Sequence, residues 1–128
     1  MIDMNEKDAC NPLLLKNQLC FPLYASARKI VAAYTPFLKE IGLTYAQYVT
    51  MMVLWEEKST TMHDLGKRLY LDSGTLTPVL KKLEAMGYVK RSRKPEDERI
   101  VMVEITPDGL ALRDKALKGI VKNFVFLV

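Results

Sequence analysis

Apolar residues in the first third of the chain recur at helical spacing. Leu14, Phe21, Leu23, Ile30, Val31, Phe37, Leu38 and Ile41 describe one helix over Leu13–Ile41. Pro22 and Pro36 fall inside it, and each is a position for a kink or a local break. Gly42 stops the helix. Thr44 followed by Gln47 is a capping-box pattern, and the next helix, about Tyr45 to Trp55, is apolar on nearly every side, which places it at the centre of a core. Thr61 caps a third helix over Met62–Leu69. Asp72 or Ser73 caps a fourth over Gly74–Met86, with Gly87 as its C-terminal glycine. Leu76, Val79, Leu80 and Leu83 of that fourth helix face the core, and Pro78 is placed in its first turn.

The pattern then changes. Val89–Arg93 and Ile100–Ile105 alternate as strands, joined by the charged turn KPEDER. Thr106 and Pro107 form an N-cap and a first-position proline, and a last helix runs from there to the end. It is amphipathic to about Leu117. The remainder, IVKNFVFLV, is almost free of charge, so Ile120, Val121, Phe124, Val125, Phe126, Leu127 and Val128 call for a partner surface. Helix, helix, helix-turn-helix, hairpin, helix is the order of a winged helix-turn-helix, a mainly α fold with a small β-wing.

Length and composition narrow the classes. A chain of 128 residues with 49% hydrophobic residues is enough for one domain with a real core. No apolar run reaches the roughly 20 residues of a membrane span, and the acidic start MIDMNEKDAC does not suit a secretory signal, so the expected location is the cytoplasm. Two cysteines, Cys10 and Cys20, fit free thiols in a reducing compartment better than a structural disulfide. With one histidine there is no zinc-ligand spacing, and no metal or cofactor is expected.

The net charge of +4 is unevenly placed. Residues 1–57 carry −1, residues 58–99 carry +4 and residues 100–128 carry +1. The excess coincides with the helix-turn-helix and wing, which is the electrostatic footprint of a phosphate-backbone binder. Within that region Ser73, Thr75 and Thr77 put small hydroxyls at the front of the fourth helix, and Gly74 lets the backbone approach a ligand. Ser73 and Thr75 also fit a plain capping role. Lys81 and Lys82 follow one turn later, within reach of phosphates. Lys90, Arg91, Arg93 and Lys94 on the first wing strand suit further phosphate contacts, which add affinity and no sequence information. Arg99, near the hairpin tip, suits a narrow minor groove, with Asp97 and Glu98 orienting it; the competing reading is a self-paired surface hairpin.

The segment DSGTLTPVLKKLE, the DER at the wing and the TPDG opening the last helix resemble the MarR family of bacterial transcription regulators. LCFPLYAS and YLDSGTLTP resemble more narrowly its OhrR branch, the organic hydroperoxide sensors. The resemblance covers about residues 13–117. It implies one domain over residues 1–128, with an N-terminal dimerisation helix at about 13–43, the winged helix-turn-helix at about 44–105 and a short C-terminal helix at 106–128. It implies a homodimer that sets its recognition helices into the major groove of double-stranded inverted-repeat DNA. The reduced form represses, and oxidation of one cysteine releases the DNA. Cys20 matches that cysteine, Tyr24 and Tyr34 match tyrosines that hydrogen-bond its sulfur, and Tyr45 matches a further tyrosine of the same pocket. Members with two active cysteines carry the resolving one late in the chain, where this sequence has none. The chain therefore resembles the one-cysteine type, which forms a mixed disulfide with a low-molecular-weight thiol. Cys10 matches no family role. The family continues with a further dimerisation helix that IVKNFVFLV does not match.

The chemistry has its own logic. The thiolate is the nucleophile that attacks a peroxide O–O bond, and hydrogen bonds from neutral donors such as tyrosine favour a thiol's charged form. Tyr24 stands at i+4 from Cys20 and shares its helix face. Tyr34 lies 14 residues on, about 21 Å along a straight helix, so a second subunit is the simpler source of that contact. Phe21 and Leu23 give the cysteine apolar flanks suited to an organic hydroperoxide. On spacing alone, a small buried cysteine among core tyrosines is the plainer reading, and it is the LCFPLY match that favours a sensor. Two alternatives stand beside the redox-switched repressor. One is a repressor of the same fold released by a small aromatic or phenolic ligand, with Cys20 incidental. The other is a thiol peroxidase, disfavoured because no second catalytic group accompanies the cysteine and the basic wing goes unexplained; no enzymatic activity is expected.

Overall fold

A computed structural model describes residues 10–123. These fall into two compact units, one ending at Thr35 and the other beginning at Pro36.

The first unit holds a folded turn and a helix. Asn11 is buried, its Oδ1 accepts from the Leu13 amide at 2.9 Å, and a single 3-10 turn follows at Leu15–Asn17. Helix α1 runs Cys20–Ala33 and has no buried residue. Phe21, Leu23, Tyr24 and Ile30 are all exposed on it. The single helix expected over Leu13–Ile41 is thus shorter and divided. Pro22 is the third residue of α1, where its missing N–H costs no intrahelical bond. Pro36 cannot supply the bond that would continue the ladder, and the chain turns at Tyr34 before α2 begins at Thr35 and ends at Ile41.

The second unit is built on α3, Tyr45–Glu57, where Met51 and Leu54 have no exposed surface. Its start is the expected capping box: the Gln47 amide donates to Thr44 Oγ1 at 3.2 Å, and the Thr44 amide donates to Gln47 Oε1 at 2.9 Å. Phe37 of α2 stacks edge-on to Tyr48, with ring centres 5.1 Å apart. Helix α4, Met62–Leu69, starts on the Thr61 cap, and α5, Ser73–Ala85, starts on Asp72. Leu76, Leu80 and Leu83 of α5 are fully buried, as their spacing implies, while Val79 is half-buried. Strands β2, Val89–Lys94, and β3, Asp97–Ile105, make the wing, with a register shift at Arg93/Lys94. Helix α6, Pro107–Asn123, begins with the Thr106 hydroxyl accepting from the Gly109 amide at 3.0 Å and donating to the Gly87 carbonyl at 2.6 Å. Of the apolar tail, Ile120 is half-buried and Val121 exposed; Phe124–Val128 lie outside the described residues.

Two further features differ from the sequence expectation. A third strand, β1 at Ser59–Thr61, pairs antiparallel with β3 (Thr60 opposite Val103), so the sheet order is β1-β3-β2. Strand β3 also starts three residues earlier than its apolar run, because backbone pairing continues through the charged wing.

The α4–α5 turn is tight. Tyr70 sits in the left-handed region (φ 57°), and the Leu71 amide donates back to the Gly66 carbonyl at 2.9 Å. A Cβ on Gly66 would lie 2.7 Å from the Leu71 carbonyl oxygen. Alanine favours helix by about 1 kcal/mol over glycine, yet here the backbone clash dominates. Gly66→Ala is expected to lower stability by about 1–3 kcal/mol, read as a lower midpoint in urea unfolding.

Candidate nucleic-acid interface and cysteine site

The front of α5 is arranged by local hydrogen bonds. Asp72 Oδ1 accepts from the Thr75 amide at 2.7 Å, and this bond holds the Asp72 carboxyl below the usual carboxylate range. Ser73, Gly74 and Thr75 are exposed beyond the cap. Thr77 is half-buried, and its hydroxyl donates to the Ser73 carbonyl at 2.7 Å, so it meets a ligand as an acceptor. Pro78 is the sixth residue of α5, not a first-turn residue as expected; it has no N–H to give the Gly74 carbonyl.

The wing arginines have distinct settings. Arg99 is 90% exposed in its side chain, and its Nε and Nη2 donate to the two Asp97 oxygens, each at 3.0 Å. The pairing holds the Asp97 carboxyl low and presents the guanidinium beside the hairpin tip. Arg93 donates to the Glu98 carbonyl across the hairpin at 2.8 Å. Arg91 points another way. Its Nη2 donates to Glu84 Oε1 at 3.2 Å and its amide to Glu84 Oε2 at 3.1 Å, which ties β2 to the last turn of α5. This pair holds the Glu84 carboxyl below its ordinary value. In this structure Arg91 thus braces the wing against α5.

A cleft of about 750 Å3 lies between α4, the front of α5 and β3 of the wing. Ser73 and Arg99 stand on its walls, together with His63 and Lys67 of α4, and Met62, Leu71, Ile100 and Val101 supply its apolar surface. His63 and Lys67 were not singled out in the sequence; an exposed basic pair at i and i+4 on α4 was the available signal. Lys81 is exposed on α5. Lys82 lines a different groove, with Leu38, Lys39, Thr44 and Gln47.

Asp72 and Glu84 also set a pH dependence. Both carboxyls are lower in the folded state than unfolded. Their contribution is therefore present above the unfolded carboxylate value and is lost as pH falls through the folded one. Thermal stability is expected to hold from neutral pH down to about pH 5 and to fall below about pH 4. Asp72→Ala should flatten that acid limb, which a series of melting curves would check.

The cysteine site lies in the first unit. Cys20 is the first residue of α1 and is exposed, with its thiol free. First-turn amides have no intrahelical acceptor and can serve an anionic sulfur. Tyr24 follows one turn later, exposed, with the Arg28 guanidinium 5.4 Å from its ring centre. Tyr34 is the C-cap of α1, about 21 Å along the helix from Cys20. One chain's α1 thus does not bring Tyr34 to the sulfur. Tyr45 opens α3 in the second unit, its ring centre 6.5 Å from that of Tyr48. Among the described residues no cluster of three metal-ligating side chains occurs, and no helix is long and apolar enough to cross a membrane.

A family model described as transcriptional regulator SarA/Rot matches residues 32–116. The organic hydroperoxide resistance transcriptional regulator of Bacillus subtilis (strain 168) is 48% identical over 103 residues, spanning 80% of this chain and 70% of that protein. The chain belongs to the MarR/SarA family of transcriptional regulators. Two solved structures of another MarR-family protein, AbfR of Staphylococcus epidermidis, are similar to it. Overoxidized AbfR bound to DNA superposes with a TM-score of 0.80 at 39% identity, covering 86% of this chain and 81% of that one. Reduced AbfR bound to DNA gives 0.78 at 40% identity, covering 84% and 76%. As a MarR/SarA member the chain is a winged-helix, DNA-binding transcriptional regulator.

Proposed function

We propose that this MarR/SarA protein is a cytoplasmic repressor that binds inverted-repeat DNA as a homodimer and releases it when an organic hydroperoxide oxidises Cys20. One observation carries the reading: an exposed free thiol opens a helix that has no buried residue and whose apolar side chains face outward. Such a helix calls for a partner surface. A second copy would cover Phe21, Leu23 and Ile30 and could bring its own Tyr34 to the thiol. Binding would set Ser73, Thr75 and Thr77 at base edges, Lys81 and Arg93 at phosphates, and Arg99 in the minor groove.

The Cys20 thiolate attacks the hydroperoxide O–O bond, giving a sulfenic acid and an alcohol. A small thiol then displaces water and leaves a mixed disulfide. The added bulk, at a helix shared between subunits, would turn the two reading heads relative to each other. Two relatives support this reading: the Bacillus subtilis protein is an organic hydroperoxide resistance regulator, and AbfR has been solved on DNA in reduced and overoxidized states. Since overoxidized AbfR is on DNA, the releasing species assigned here is the disulfide, not a more highly oxidised sulfur.

The test compares wild type with Cys20→Ser in a gel shift on an inverted-repeat promoter fragment. One equivalent of cumene hydroperoxide plus a small thiol should abolish wild-type binding and leave the variant bound. Retention of binding by both proteins would remove the sensor reading. The cleft of about 750 Å3 favours a second reading, in which an anionic aromatic ligand held by Lys67 and Arg99 displaces DNA. Under that reading Cys20→Ser still responds to the ligand.

A further inference from the structure

We propose that Cys10 is the resolving thiol for Cys20, closing a disulfide within one chain; this rests on the reading of Cys20 as the oxidised residue. The segment between the two cysteines is folded back on itself. The Asn11 carbonyl accepts from Asn17 Nδ2 at 2.9 Å and from the Leu14 amide at 3.4 Å. The Gln18 side-chain amide donates to the Leu14 carbonyl at 3.1 Å and to the Pro12 carbonyl. Residues 11–12 are thereby tied to residues 17–18. Cys10 stands one residue before the first limb and Cys20 two residues after the second. Both thiols are free and exposed, so neither is walled off by a core.

A disulfide needs Cα atoms about 4.4–6.8 Å apart. Only Leu19 separates the tied limb from Cys20, and Gln18, at the end of that limb, is extended (φ −91°, ψ 128°). A loop of about ten residues closes in roughly 10–100 ns. A short tether also gives the second thiol an effective concentration of millimolar order. Cys10 therefore competes directly with a small cellular thiol for the sulfenic acid.

The chemistry balances in two steps. The Cys20 thiolate takes one oxygen from an organic hydroperoxide, which is reduced to the alcohol, and Cys20 becomes a sulfenic acid. The Cys10 thiolate then attacks the Cys20 sulfur; the S–O bond breaks, water leaves, and an S–S bond forms. The product restrains the start of α1 and carries no added thiol.

The experiment treats the full-length reduced protein and Cys10→Ser with one equivalent of cumene hydroperoxide, without small thiol and in the presence of dimedone. After alkylation, non-reducing digestion and mass spectrometry follow. Wild type is expected to give a peptide joining Cys10 to Cys20, two hydrogens lighter than its parts, in a species that runs as a monomer under denaturing conditions. Cys10→Ser is expected to lose that peptide and accumulate the dimedone adduct of Cys20. Equal Cys20 adducts in both proteins, or a link found only between chains, would overturn the inference and leave the Cys20 reading intact. An unmodified Cys20 in both would overturn that reading and the inference with it.

Discussion

Arg99→Ala should weaken binding of the reduced protein to inverted-repeat DNA by about ten- to hundredfold, the usual weight of one well-placed arginine contact. Arg99 is the most exposed of the paired cations, and its two bonds to Asp97 fix the guanidinium plane beside the hairpin tip. That preorganisation reduces the side-chain entropy lost on entering a groove. The same carboxylate repels phosphate, so the arrangement favours aim over raw attraction. Arg99→Lys keeps the charge and loses the two-pronged pairing, and should fall between wild type and alanine. Lys81→Ala, at a position proposed to meet phosphate, should instead weaken all sequences alike and lower the salt slope by about one. Anisotropy titrations over a salt series separate the two effects. Unchanged affinity in Arg99→Ala would place the wing off the DNA.

Phe37→Ala should cost about 3–5 kcal/mol, the range for truncating a fully buried aromatic. Phe37 has no exposed surface and meets Tyr48 edge-on. It also fills the space left by Gly119 of α6, where a Cβ would come within 2.7 Å of its ring. Against a typical total of about 5–15 kcal/mol, the loss is a large share of stability. The urea midpoint should drop sharply with little change in slope. Phe37→Leu should lose much less, since most of the volume is kept.

Local hydrogen bonding explains what was legible in the sequence. The caps at Thr44, Thr61, Asp72 and Thr106 each close over three residues, so residue identity alone announces them. Burial of Leu76, Leu80 and Leu83 likewise follows from spacing. Strand β1 was not legible because Ser-Thr-Thr has no alternation, and its partner β3 lies some forty residues on. The redirection of Arg91 to Glu84 was hidden for the same reason: it depends on where β2 falls against α5. Lys81 and Lys82 are adjacent in sequence, and it is helix rotation that sets Lys82 beside the groove lined by Leu38 and Gln47. His63 and Lys67 line the cleft with Ser73 and Arg99 only because β3 of the wing packs beside α4.

Under the proposed function, DNA release is coupled to sulfur chemistry at Cys20. The direct measurement is a stepwise titration of the reduced protein–DNA complex with cumene hydroperoxide in the presence of a small thiol. Fluorescence anisotropy follows release while mass spectrometry counts remaining Cys20 thiol in the same samples. Release that tracks thiol loss in proportion, and reverses on reduction, is the predicted result. DNA that stays bound after Cys20 is fully converted to a disulfide would rule that coupling out.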